Sequence, residues 1–340
     1  MINEAIIKLT QKEDLSRDEM YSSIEEIMKG ETSPAQIASF LTASSIKGIS
    51  LDELVGAALA MRHFSKKVNT KNKIVVDTCG TGGDSKGTFS ISTIASIVVA
   101  GAGVCVAKHG NRSASGKFGS ADLLEALGVK IDVDEKKVEE CIEKNDIGFM
   151  FAPVFHPAMK YAHPVRKELG LRTIFNFLGP LTNPASTKYQ LLGVSEENML
   201  KDFALALKEL GSIHAMVVRG KDGLDEITTT TETRIFELKN SKIKEFDISP
   251  EDFGIKKVKL KEILCKDKKT DVAMTREILS GKSGPKRDIV CLNAGAALYT
   301  AGKVPSIKEG LELARITIDS GRAKEKLRSL IEFTNEAPRA

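Results

Sequence analysis

The periodicity of the chain changes at Ile74. From there, short β-branched runs alternate with helical ones, and this alternation restricts the fold more than any other feature. IVVDTC (74–79), VCVAKH (104–109), IGFMFA (147–152) and HAMVVRG (214–220) predict buried strands. FSISTIASIVVAGAG (89–103) and SADLLEALG (120–128) predict helices between them. DIVCLNAGAALYTAG (288–302) predicts a further strand entering a loop or helix. Strands separated by helices imply a parallel sheet, because each crossover must carry the chain back across a sheet face. TTTTETRIFELKNSKIKEFDI (228–248) breaks the rhythm: it alternates, is rich in β-branched residues and holds an Asn-Ser turn. It predicts an antiparallel hairpin. SIKEGLELARITIDSGRAKEKLRSLIEFT (306–334) predicts two closing helices, opened by Ser306 and Glu309 as a capping box.

Before Ile74 the signals are helical. Ser16 with Glu19, Ser33 with Gln36 and Ser50 with Glu53 read as capping boxes. Pro34 suits the first helical position, and Gly30 and Gly48 mark helix ends. The lysine-rich KKVNTKNK (66–73) reads as a linker. A small helical module and a larger α/β module together suit 340 residues.

The loop after the first strand, DTCGTGGDSKGTFSIST (77–93), concentrates glycine and hydroxyl groups between apolar runs. Gly80, Gly82 and Gly83 give a ligand close access to the backbone. The N–H groups of such a loop, and of the helix it enters, attract phosphate. Thr88, Ser90, Ser92 and Thr93 add hydroxyls. The sequence lacks the last glycine of a dinucleotide fingerprint, and GKS (281–283) lacks the upstream glycine of a P-loop. The second strand runs into KHGNRSASGKFGSAD (108–122), where Lys108, His109, Arg112 and Lys117 supply cations and three glycines supply access. Ser120 is placed to cap the next helix. Two adjacent strand ends with anion-binding loops point more specifically to phosphate than either loop alone. Asp225 and Glu226 follow the strand HAMVVRG, where paired carboxylates suit Mg²⁺. FAPVFHPAMKYAHPVRKELGLRTIFNFLGPLTNP (151–184) suits a wall for a small planar acid, with Arg166 forking its carboxylate or, like Arg172, forming a salt bridge. His63 and His214 read as structural.

A formal charge of +4 is too small to imply nucleic acid, and aromatic platforms are scarce, with no Trp and four Tyr. The cysteines at 79, 105, 141, 265 and 291 form no Cys-x-x-Cys pair, which argues against structural zinc and for reduced core residues of a cytoplasmic protein. The start MINEAIIKLTQKEDL lacks a signal peptide's apolar region, and the longest apolar stretch is too short to span a bilayer.

Taken together and in order, GTGGD (80–84), KHGNR (108–112), SGKFGSADLLEALG (115–128), RKELGLRTIFNFLGPLTNP (166–184) and DGLDEIT (222–228) resemble the anthranilate phosphoribosyltransferases. The resemblance implies transfer of phosphoribosyl from 5-phosphoribosyl 1-pyrophosphate (PRPP) to the amine of anthranilate, in tryptophan biosynthesis. It implies the fold shared with pyrimidine nucleoside phosphorylases: a small all-α domain, a large α/β domain with a mostly parallel sheet, and a cleft between them. The helical domain would comprise residues 1–72 with a piece near 165–190, and the large domain 73–164 and 191–340. The resemblance also implies a homodimer through the small domain and Mg²⁺, two ions per monomer.

Residue by residue, the resemblance places PRPP on Gly80, Gly83, Asp84, Thr88, Ser90, Ile91, Ser92 and Thr93. Its second PRPP loop comprises Lys108, His109, Gly110, Asn111, Arg112, Ser113, Ala114, Ser115, Gly116 and Ser120. Anthranilate falls to Gly80, Asn111 and Arg166, with Arg166 on its carboxylate and His109, His156 and Pro180 lining its path. Ser92, Asp225 and Glu226 are the implied Mg²⁺ ligands. No side chain is required as a covalent nucleophile, and His109 is open as a general base beside its lining role. One position departs: the family's Asn-x-Ser-Thr run begins here with Ser90, which predicts weaker PRPP affinity. A nucleoside phosphorylase and a nucleic-acid-binding relative are the rival readings; the KHGNR loop and Arg166 argue against the first, the modest charge against the second.

Overall fold

The computed structural model describes residues 1–71, 74–113 and 118–336. Four helices open the chain: α1 (Ile2–Thr10), α2 (Arg17–Lys29), α3 (Pro34–Lys47) and α4 (Leu51–Phe64). The capping boxes at Ser16, Ser33 and Ser50 all form, with each serine accepting the N–H three residues on. Glu53 does more than cap: buried, it also accepts the Leu15 N–H at 2.9 Å and pairs with Lys47 at 2.8 Å. The described part of the expected linker, residues 66–71, contains no helix or strand, but it is pinned. Lys66 N–H donates to Phe155 O at 2.9 Å and Val68 N–H to Pro184 O at 3.2 Å.

The remainder alternates as the sequence predicts: β1 (Val75–Gly80), α5 (Ile91–Gly101), β2 (Cys105–Gly110), α6 (Ser120–Leu127), α7 (Glu135–Asn145) and β3 (Ile147–Phe151). Short helices α8 (Ala152–Phe155), α9 (His163–Leu169) and α10 (Phe175–Leu178) precede β4 (Tyr189–Gly193), α11 (Leu200–Glu209) and β5 (His214–Gly220). The hairpin is β6 (Thr233–Lys239) and β7 (Lys242–Ile248). Helices α12 (Lys268–Leu279), α13 (Pro285–Thr300), α14 (Ile307–Asp319) and α15 (Arg322–Asn335) close the chain.

The seven strands form one sheet in the order β3-β2-β1-β4-β5-β6-β7, parallel from β3 to β5 and antiparallel beyond. The chain leaves β1 toward β2 and β3, then returns to β4 on the other side of β1. Strand order therefore reverses between β1 and β4, and the crevice outside their carboxyl ends is where an open α/β sheet binds ligands. Alternate strand residues feed opposite faces. Leu191, Met216 and Val218 pack with α5 and α13; Leu192, Ala215 and Val217 pack on the other face. That second core runs continuously through Phe203, Phe177 and Phe175 into Phe40, Leu41 and Leu54 of the helical bundle. Ala162, Val165, Ile174 and Leu181 belong to it as well, so the 162–181 segment packs with the N-terminal helices.

Two expectations fail. DIVCLNAGAALYTAG is not a strand: it lies in α13, with Pro285 in its first turn. The helix is buried on nearly all sides, so it lacks the polar stripe that reveals a 3.6-residue period. Ser120 does not cap α6. It is the first helical residue, Gly119 occupies the cap, and Asp122 closes the turn by accepting the Gly119 N–H at 2.8 Å. Strand β4, central to the sheet, is a further element that the sequence reading did not single out.

Candidate active site

The acid pair is positioned from three directions. β5 delivers the 221–226 loop to the crevice, where Gly82 N–H donates to Asp225 Oδ2 at 2.9 Å and Ser92 N–H donates to Glu226 Oε1 at 3.1 Å. The glycine loop and the start of α5 thus meet both carboxylates. From the sheet side, the backbones approach so closely that a methyl on Gly193 would lie 1.6 Å from Asp225 O, and one on Gly80 would lie 2.5 Å from Asp225 Oδ2. From behind, buried Asn293 on α13 reads both backbone groups of Ile227: its Oδ1 accepts the N–H at 3.0 Å and its Nδ2 donates to the carbonyl at 2.8 Å.

The electrostatics of this corner are one-sided. Burial, with the charge of Asp84 adding to it, raises Asp225 from the usual carboxylate range to about 7. Burial and then the neighbouring Asp225 push Glu226 well above its ordinary value. Asp84, in an Asx turn that takes the Lys86 N–H at 3.1 Å, is also raised by burial. The buried cation opposing them is Lys108, which reaches from the end of β2 to donate to Thr78 O and is drawn toward Asp77, Cys79 and Glu226. Burial still lowers its pKa. With Asp77 beside Lys108, four carboxylates stand against one buried ammonium, which leaves a deficit of positive charge. A divalent cation fits that deficit. Among the described residues no three His, Cys, Asp or Glu side chains form a closed metal cage. A Mg²⁺ site completed by phosphate oxygens and water needs none.

The second loop is only partly directed at this corner. His109 and Gly110 end β2, and Gly110 is so close to Ser120 that a methyl on it would meet Ser120 Oγ at 2.2 Å. Arg112 is turned to α6, with 2.7–2.8 Å bonds to Asp122 and Glu125, and stacks over Phe151. Asn111 Oδ1 accepts the Arg112 N–H at 2.8 Å, and Ser113 N–H leans on Asp122 Oδ2 at 3.4 Å. Ala114, Ser115, Gly116 and Lys117 lie outside the described residues. The Ser90 hydroxyl donates to Asp271 Oδ2 at 2.7 Å. Ile91, Ser92 and Thr93 form the first turn of α5, Thr78 Oγ1 donates to Ser92 O at 3.0 Å, and Thr88 bridges to Leu264.

Across the crevice, His109 and His156 lie with ring centroids 5.0 Å apart. Burial lowers them to about 4 and about 3, so both are neutral near pH 7. His109 Nδ1 meets Gly179 O at 3.1 Å, which makes it the protonated nitrogen and leaves Nε2 a lone pair with no partner among the described residues. Pro180 is buried and its carbonyl takes Gln190 Nε2 at 2.7 Å. The two arginines separate. Arg172 pairs with Glu196 at 3.1 Å and donates to Ser195 at 2.9 Å. Arg166, on α9, stacks over Phe175 and has no carboxylate partner among the described residues; burial lowers its pKa. An unpaired, partly buried guanidinium is the chemistry that takes a substrate carboxylate. His214 is structural, bonded to Glu237 at 2.9 Å.

Asn293, Asp271 and Gly193 were missed from sequence. Asn293 alone had a visible signal, a lone amide inside the apolar run DIVCLNAGAAL.

Comparison with known proteins agrees with the two-module fold. Residues 72–324 match the model of the glycosyl transferase family a/b domain, and residues 3–65 match that of its helical bundle domain. The anthranilate phosphoribosyltransferase of Acetivibrio thermocellus is 50% identical over 335 residues, spanning 98% of this chain and 97% of that protein. The crystal structure of anthranilate phosphoribosyltransferase from Thermus thermophilus superposes with a TM-score of 0.92 at 42% identity, covering 98% of this chain and 99% of that one. The Saccharomyces cerevisiae enzyme, in complex with PRPP and Mg, superposes at 0.90 with 28% identity, covering 98% and 97%.

Proposed function

Because the chain belongs to the anthranilate phosphoribosyltransferases, we propose that the crevice described above carries out their reaction. The chain transfers the phosphoribosyl group of PRPP to the amine of anthranilate, in tryptophan biosynthesis. The observation that carries the site assignment is the meeting of the glycine loop, the α5 N-terminus and Asp225–Glu226 at one corner of the sheet.

In this reading the pyrophosphate of PRPP lies against Gly80–Asp84 and the first turn of α5, where backbone N–H groups meet its charge. Buried Lys108 adds a fixed cation beneath it. Asp225, Glu226 and the Ser92 hydroxyl are the residues that would hold Mg²⁺, which neutralises leaving-group charge when bound. The number of ions follows the family expectation of two per monomer. Arg166 takes the anthranilate carboxylate in a fork, while neutral His109 and His156, with Pro180, line the approach and place no charge beside the amine. As the bond from C1 to pyrophosphate breaks, the amine nitrogen bonds to C1 and then releases a proton. The amine is a poor nucleophile, so the chain contributes alignment and leaving-group stabilisation rather than covalent attack.

The partners of this reading are PRPP, anthranilate and a second copy docked through the helical domain. Among the described residues no helix is long and apolar enough to cross a membrane. All five cysteines are free, which supports the reducing cytoplasm as the compartment. The test is direct: anthranilate fluorescence falls when PRPP and Mg²⁺ are added, and EDTA stops the fall. Unchanged fluorescence with intact, folded protein refutes the assignment.

A further inference from the structure

Arg172 is fixed from both modules. Its carbonyl accepts the Ser45 hydroxyl of α3 at 3.0 Å, which ties its backbone to the helical bundle. Its side chain reaches the sheet end. Nη1 pairs with Glu196 at 3.1 Å, and Nη2 donates to Ser195 Oγ at 2.9 Å and to Gly82 O at 3.4 Å. The guanidinium stacks 4.8 Å from the centre of the Phe177 ring. It also lies over Gly83, where a methyl would stand 3.2 Å from Nη1. Ser195, just past β4, meets the same loop: its N–H donates to Thr81 Oγ1 at 3.1 Å and the two hydroxyls lie 3.3 Å apart. One planar fork thus joins the helical bundle, the end of β4 and the glycine loop.

The loop depends on such outside holds. Between Gly80 and Ile91 the chain forms no helix or strand beyond the bridge at Thr88, and Gly82, Gly83, Ser85 and Gly87 all have positive φ. Gly82 and Gly83 are exposed. Glycine visits both hands of φ with little cost, so an exposed glycine turn keeps one shape only where something holds it. Gly82 N–H is on Asp225, and Arg172 takes the carbonyl of the same residue. The charge of Arg172 is already engaged by Glu196, and its donors form a rigid plane suited to fixing several groups at once. We propose that Arg172 is a positioning residue for PRPP: its guanidinium holds the Gly82–Gly83 turn against the end of β4, in the shape that meets the substrate's pyrophosphate. The inference rests on the function proposed above. Arg172 itself touches no substrate.

The test is read on the intact protein by titration calorimetry with inorganic pyrophosphate and Mg²⁺ and by steady-state kinetics. In Arg172→Ala the turn must be ordered by the ligand itself. Pyrophosphate affinity and KM for PRPP worsen about tenfold, the equivalent of fixing one backbone residue, while KM for anthranilate stays within about threefold. Glu196→Gln loosens the fork's anchor and worsens both about threefold. In the Arg172→Ala background the same change does almost nothing, because Glu196 acts on the turn through Arg172. Arg172→Lys keeps the charge but not the fork, and remains about as weak as Arg172→Ala. Equal rises in KM for PRPP and anthranilate overturn the proposal, because a residue that merely supports the fold does not separate them. So does a full Glu196→Gln effect without Arg172, and so does a lysine variant with the parent's affinity, which would show that charge alone acts. If Arg172→Ala does not fold, Arg172→Gln keeps part of the stem against Phe177 and carries the same comparison, with the same outcomes for and against. A parent protein that neither binds pyrophosphate nor consumes anthranilate removes the functional reading itself. An active parent without this pattern removes only this inference.

Discussion

Replacing Gly193 with alanine tests whether the sheet sets the position of the acid pair. Gly193 ends β4, in register with Gly80 on one side and Val218 on the other. Its φ is not left-handed, so the cost of a side chain there is one of space. The new methyl would sit 1.6 Å from Asp225 O. Reaching ordinary contact requires the two backbones to part by about 1.8 Å. β4 cannot yield: it is held between β1 and β5, and Gly193 O accepts the Thr81 N–H at 2.9 Å. The displacement therefore falls on the 225–227 loop. Overpacking of this kind costs about 1–3 kcal/mol. Misplacing a catalytic group by ~1 Å costs about 10²-fold in rate. We expect Gly193→Ala to fold, to melt a few degrees lower, and to lose about 10²-fold in kcat with a raised Mg²⁺ requirement. KM for anthranilate should stay near that of the parent, because Arg166 is held by other elements. The assay is anthranilate fluorescence against PRPP and Mg²⁺, with melts alongside. A folded variant with kcat within about threefold of the parent and an unchanged Mg²⁺ dependence refutes the argument.

Three further outcomes follow from the same geometry. Arg166→Ala removes an unpaired guanidinium and should raise KM for anthranilate about 10–100-fold, the equivalent of a charge-assisted bond, with little change for PRPP; equal rises in both constants would contradict the assignment. Asp225 is raised from 3.8 to about 7, so its contribution to stability is fully present below pH 4 and is lost as pH rises through 7. In EDTA, Asp225→Asn should therefore gain stability over the parent as pH climbs from 5 to 8.5, by up to a few kcal/mol, and a difference independent of pH in chemical denaturation speaks against it. Asn293→Leu strands the Ile227 N–H and carbonyl in the core and should cost roughly 2–4 kcal/mol, together with a higher Mg²⁺ requirement; urea unfolding and Mg²⁺ titration check both parts.

How much of this was legible follows from where each kind of information lies in a chain. The parallel sheet announced itself because short β-branched runs ending in glycine-rich loops have few other uses. Asp225–Glu226 and the glycine loop stood out because charge and bare backbone are unusual directly after buried strands. Arg112 and Ser90 show what residue type leaves open: it does not fix a side chain's partners, and here α6 and α12 each supply a carboxylate that bonds to one of them. α13 was misread because a helix buried on nearly all sides has no polar stripe, so its period leaves no trace in the sequence. The supports were least visible of all. Asn293 and Asp271 are far along the chain from the loops they hold, and a hydrogen bond to a peptide group or a hydroxyl leaves no spacing rule behind. The candidate site is built on the loops, whereas α12 and α13, arriving last, hold those loops through Asp271 and Asn293.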